Sequence, residues 1–169
     1  GCDYHSLASA YAWEVAAFPV FTKKLLALCR PQKERWSLRG QGLEFTLENR
    51  DADWDNGSER AAVNRYEDLS HGDVNEARLC HMAAWCQKRG ISLVLVATPL
   101  WRSYRAAQNP AQTADMHRRI AAVVARFPQT VRFLDFSADP SFTANDFFDS
   151  DHLNTLGAVK LSRKVKGKI

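Results

Sequence analysis

Ile91-Ser92-Leu93-Val94-Leu95-Val96-Ala97 is the stretch on which the fold turns. All but Ser92 are apolar, and most are β-branched or otherwise at home in a strand. So short a run with polar flanks predicts a central parallel strand covered on both faces. Upstream, Asp73 is expected to cap a helix in which Leu79, Met82, Ala83 and Cys86 fall at helical spacing, and Gly90 stands where a left-handed C-terminal residue belongs. Downstream, a loop over residues 98–109 leads to a helix with Asn109 as cap and Pro110 at its first position. Met116, Ile120, Val123, Val124 and Phe127 lie along one face of it. Val131-Arg132-Phe133-Leu134-Asp135-Phe136 then reads as a second strand, and residues 155–166 as a final helix. Helix, strand, helix, strand, helix predicts an α/β fold: an open, mostly parallel sheet flanked by helices, with right-handed crossovers.

The rest of the chain is less regular. Residues 7–30 are apolar and Ala-rich, and Pro19 divides them into two expected helices that Pro31 closes. Residues 31–73 form an excursion rich in charge and turn residues. Within it Leu43, Phe45 and Leu47 alternate as a short strand would, and residues 59–69 suit a short helix. A length of 169 residues fits one domain over residues 1–169, and 46% hydrophobic against 25% charged residues is a globular balance. The net charge of +4 is scattered, so nucleic acid is not an expected partner. No stretch is apolar enough to cross a bilayer. Cys2, Cys29, Cys80 and Cys86 contain no Cys-x-x-Cys pair, and His5, His71, His81 and His117 lack ligand spacing, so no metal and no cofactor are expected. Trp85 is expected to pack within its helix, with Trp54 and Trp101 more exposed. The opening, Gly1-Cys2-Asp3-Tyr4-His5-Ser6, has neither an initiator Met nor a signal peptide and reads as a cut edge.

Open α/β sheets carry their sites in loops beyond the carboxyl ends of the strands. Two segments qualify, 98–105 and 135–154. In the second, Asp149 and His152 stand three apart at the entrance to the last helix. A carboxylate beside an imidazole fixes its tautomer and stabilises the imidazolium formed when it takes a proton from a hydroxyl nucleophile. A plainer alternative is that Asp149 or Asp151 caps the helix and His152 is an ordinary first-turn residue.

Phe147-Phe148-Asp149-Ser150-Asp151-His152-Leu153-Asn154 followed by Gly157-Ala158 resembles the C-terminal block of the SGNH (GDSL-type) hydrolases. The likeness is to the branch of cell-wall and exopolysaccharide acyl-tailoring proteins similar to the lipoteichoic acid D-alanylation protein DltD, and it covers roughly residues 73–166. The resemblance implies a three-layer, flavodoxin-like sheet. It also implies a Ser-Asp-His mechanism in which Asp149 orients the imidazole and His152 is the general base; Asp151 receives no role. It further implies an acylated carbohydrate or wall-polymer substrate and an extracytoplasmic, cell-envelope setting. The family's Gly-Asp-Ser-type nucleophile block and its first strand are not found in this sequence, and Gly1 is read as a candidate remnant of the oxyanion hole. Thr98-Pro99-Leu100-Trp101-Arg102-Ser103-Tyr104 takes the place of the family's Gly-x-Asn-Asp block, with Arg102 and Tyr104 as candidate substrate contacts. An esterase or acyltransferase is the leading expectation, and a non-catalytic module binding glycan or protein is its rival.

Overall fold

A computed structural model describes residues 45–169, all within one compact unit, Glu44–Ile169. The expected helices of residues 7–30, Leu43, Gly1 and Ser6 lie outside the described residues, as does much of the span over which one domain was expected. The order is α1 (Gly57–Val63), α2 (His71–Gln87), β1 (Leu93–Ala97), α3 (Arg102–Ala107), α4 (Pro110–Arg126), β2 (Val131–Asp135), a 3-10 turn (Ala144–Asp146) and α5 (Thr155–Lys166).

β1 and β2 pair in parallel, with Leu93 opposite Val131 and Ala97 opposite Asp135. Alternation sends Leu93 and Leu95 to one face, where they meet Val131 and a core of Ala83, Val123 and Phe127 from α2 and α4. Val96 points the other way and is 38% exposed. Among the described residues β1 is therefore covered on one face and paired on one side, not buried on both as its composition suggested. Both long helices lie against the same face, and a two-stranded parallel pair is the whole of the sheet described here. An α/β architecture is present. No helix of the described residues is long and apolar enough to cross a membrane.

Local chemistry accounts for some of the boundaries. Asn109 accepts the Ala111 N–H at 3.0 Å and Pro110 opens α4, as expected. Gly90 follows α2 with φ of 65°, a conformation in which a Cβ would be strained. Asp73 is not a cap: α2 begins at His71, and Asp73, in its first turn, pairs with Arg119 at 2.6 Å. Arg119 also reaches Asp115 at 2.6 Å and Glu76 at 3.2 Å, tying α2 to α4. The expected loop over 98–109 contains α3, and the short helix expected at 59–69 is α1, shifted toward the N-terminus to Gly57–Val63. Residues 45–50 form bends and turns in place of a strand. The tryptophans are reversed from expectation. Trp85 is 51% exposed beneath the Arg89 guanidinium, whereas Trp101 is packed between Trp54 and Phe147, with centroids 5.2 and 5.5 Å away.

Candidate functional site

The loops leaving the two strands meet at the carboxyl end of the sheet. Phe136 N–H donates to Ala97 O at 3.0 Å, Leu100 N–H to Ser137 O at 3.1 Å, and Trp101 N–H to Ser150 O at 2.9 Å. The turn carrying Asp149 and His152 is thereby fastened to the segment after Thr98-Pro99. Its own residues form a tight hairpin. Phe147 bridges Leu153, Phe148 N–H donates to His152 O at 2.9 Å, and Asn154 N–H donates to Asp146 O at 3.0 Å.

Asn154, 1% exposed, is the hub. Its Oδ1 accepts the Gly157 N–H at 3.0 Å and so caps α5, while its Nδ2 donates to Asn145 O at 2.7 Å and Phe147 O at 3.3 Å. Phe147 is 1% exposed. Burying such a side chain contributes about 2 kcal/mol, more than the 0 to roughly 1 kcal/mol of a partly exposed ion pair. Packing and the asparagine therefore hold the hairpin, and its ion pairs adjust what it presents.

Within the hairpin, Asp149 Oδ1 accepts the N–H groups of Asp151 and His152 at 3.0 and 2.7 Å. His152 Nδ1–H faces both Asp149 oxygens, at 3.0 and 2.9 Å. An ionised carboxylate only accepts, so the proton of neutral His152 sits on Nδ1 and Nε2 carries the free lone pair. The imidazole is 54% exposed, and Nε2 has no hydrogen-bond partner among the described residues. Burial pushes the Asp149 carboxyl up, but the hydrogen bonds from His152 and the Asp151 N–H outweigh it and bring the pKa down to about 2. His152 is raised above 6.5, chiefly by its bond to Asp149 and against its own burial.

These shifts make the pairing pH-dependent. The raised histidine stabilises the fold fully below 6.5 and loses that contribution as pH rises through its folded value, whereas the lowered carboxylate contributes above 3.8 and fades as pH falls toward 2. The denaturation midpoint is expected to fall between about pH 5 and about pH 8 by more in the native chain than in Asp149→Asn. Parallel urea curves for the two proteins at both pH values would contradict the pairing.

The other candidates are placed differently. Tyr104 is buried at 7% exposure, and its hydroxyl accepts from Asn64 Nδ2 at 3.0 Å, so its ring offers no stacking face to a sugar. Arg102 is exposed, with its guanidinium 5.2 Å from the Trp101 ring centroid. Ser103 donates to Asp55, and Ser150 Oγ, fully buried, donates to Asn56 Oδ1 at 3.0 Å. Among the described residues no serine hydroxyl bonds His152.

Several contributors carry no signal in the sequence. Arg60 Nε and Nη2 donate to the two Asp151 oxygens at 2.8 and 3.0 Å, and Asn64 Nδ2 donates to Asp151 Oδ2 at 3.2 Å. Arg50 Nη1 donates to Ala144 O at 2.6 Å, and Phe45 packs edge-on against Phe148 at 4.8 Å. The described part of the irregular excursion thus wraps the hairpin. Helical spacing pairs Arg60 with Asn64, but nothing in the sequence links them to a carboxylate some ninety positions later.

Asp149, Asp151 and His152 each bring one ligand-type atom within 4.8 Å of the others. A cation there would compete with Arg60 and Asn64 for Asp151 and with His152 for Asp149. The donor set is already engaged and fits a hydrogen-bonded dyad better than a metal centre. Among known proteins, no family model, no curated protein and no solved structure matches this chain.

Proposed function

We propose that this chain belongs to an SGNH-like acyl-ester hydrolase or acyltransferase acting on an acylated carbohydrate or cell-wall polymer in the cell envelope. The observation that carries the reading is the Asp149–His152 pair, with Nδ1 held at 2.9 Å and Nε2 left without a partner among the described residues at the carboxyl end of the strands. The resemblance of the surrounding block supplies the substrate class and the setting.

The chemistry follows from that proton placement. A serine hydroxyl from outside residues 45–169 attacks the ester carbonyl carbon while His152 Nε2 takes its proton, and Asp149 stabilises the imidazolium. As the tetrahedral intermediate collapses, the C–O bond to the leaving alcohol breaks and Nε2 returns the proton to that oxygen. Water then attacks the acyl-serine in hydrolysis, or an acceptor hydroxyl in transfer, with His152 again as base. One observation favours a second reading, a glycan- or protein-binding module: Ser103 and Ser150 are both committed to partners other than His152.

A serine-directed fluorophosphonate applied to the product of the whole open reading frame separates the two. Covalent labelling of one serine, lost in His152→Ala, is the expected result. Absence of labelling together with undiminished binding of acetylated glycan would establish the module in place of the enzyme.

A further inference from the structure

His152 Nδ1 lies between two carboxylates, not one. It is 2.9 Å from Asp149 Oδ2 and 3.4 Å from Asp151 Oδ1, and that nearer Asp151 oxygen is the one Arg60 Nε holds at 2.8 Å. We propose that Arg60 is a positioning residue that acts through Asp151, holding this second carboxylate off the imidazole so that His152 stays paired to Asp149 alone. The inference rests on reading His152 as the general base, and extends it to the residue that sets when the base is free.

The geometry gives Arg60 a means of doing this. A bidentate fork fixes the plane of a carboxylate as well as its charge, which a lysine at the same place would not. Asn64, one turn beyond Arg60 and just past the end of α1, holds the other oxygen at 3.2 Å and is itself shared with the Tyr104 hydroxyl of α3. Asp151 is only 10% exposed on its side chain, so water does not replace these partners cheaply. Among the described residues, the charged and titratable groups facing the imidazole are Asp149 and Asp151 from its own turn and Arg60 from α1, with Tyr104 one step removed through Asn64. Of these, Arg60 draws the histidine toward the neutral form and the two carboxylates toward the charged one. Without Arg60, a bare Asp151 competes for the Nδ1 proton and holds His152 as imidazolium, a form that accepts no proton.

The test is a titration of the His152 Cε1–H resonance in the full gene product, identified by its loss in His152→Ala, beside the pH profile of kcat/KM. Arg60→Gln is expected to raise the His152 pKa by about one unit and to move the acid limb of the profile with it, a loss of up to about tenfold on that limb. Asp151→Asn lowers the pKa, and the Arg60→Gln/Asp151→Asn double variant returns close to the native value. An unchanged pKa in folded Arg60→Gln overturns the proposal, and so does a raised pKa that Asp151→Asn fails to reverse. If Arg60→Gln does not fold, Arg60→Lys, which keeps the charge without the fork, is read against the same two outcomes. The resonance requires no turnover. A shift that follows this pattern in a protein whose ester turnover ignores His152 refutes the enzyme reading while leaving the Arg60 coupling in place.

Discussion

His152→Ala in the full gene product is expected to lower turnover of a chromogenic acetyl ester by about three orders of magnitude or more, because members of a triad act as a unit. The fold should survive: the imidazole is 54% exposed, so truncation leaves no large cavity, and the hairpin is held by the buried Phe147 and Asn154. Asp149→Asn is nearly isosteric yet offers Nδ1 an amide that can donate, which permits the tautomer with the proton on Nε2. That tautomer cannot accept from a serine, and a loss of about two to four orders of magnitude follows. Asp151→Asn leaves the Asp149 pairing in place and should cost less than about tenfold near neutral pH. Measured together, the three variants rank the two carboxylates. Equal losses for Asp149→Asn and Asp151→Asn would sink the assignment of Asp149, and a His152→Ala protein keeping more than about a tenth of native turnover would sink the dyad.

How far these features were legible in the chain depends on the range over which each is decided. Asn109-Pro110 and Gly90 act within one turn of helix, and the structure has them as local chemistry predicts. The same holds for β1 and β2, whose apolar runs identify strands regardless of neighbours, and for the Asp149–His152 contact, which a separation of only three residues brings within reach. Coverage of a strand is a different matter. The run Leu93–Ala97 is as apolar as a strand buried twice over, but Val96 is 38% exposed among the described residues, since apolar composition does not say on which face a helix lands. Trp85 and Trp101 fail the local reading for a related reason. An indole will pack wherever partners converge, and here Trp54 and Phe147, from distant segments, converge on Trp101. Arg60 is the furthest from legibility, because its partner Asp151 is reached only after α2, both strands and α4 have been folded between them.

Gly157→Ala is expected to destabilise the protein by about 3 kcal/mol, although replacing glycine by alanine inside a helix ordinarily gains up to about 1 kcal/mol. Gly157 is the third residue of α5, and a Cβ built there would lie 2.1 Å from Asp146 O and 3.0 Å from both the Asp146 carbonyl carbon and Leu153 Cδ2. Asp146 O is backbone and cannot swing aside. It is also fixed by the Asn154 N–H at 3.0 Å, and Asn154 Oδ1 in turn caps Gly157. Relief therefore requires α5 to move away from the 3-10 turn, which breaks the asparagine hub and opens the hairpin between them. Turnover should fall along with stability, since the opened hairpin is the one that sets the His152 Nδ1 to Asp149 distance. Gly167→Ala is the control: its Cβ would meet nothing nearer than 3.6 Å, and a change within about 0.5 kcal/mol is expected. Urea unfolding of both variants reads the difference. Equal midpoints would mean that α5 does not approach the Asp146 carbonyl so closely, and that the glycine five residues after His152 serves the block in some way other than by letting two backbones touch.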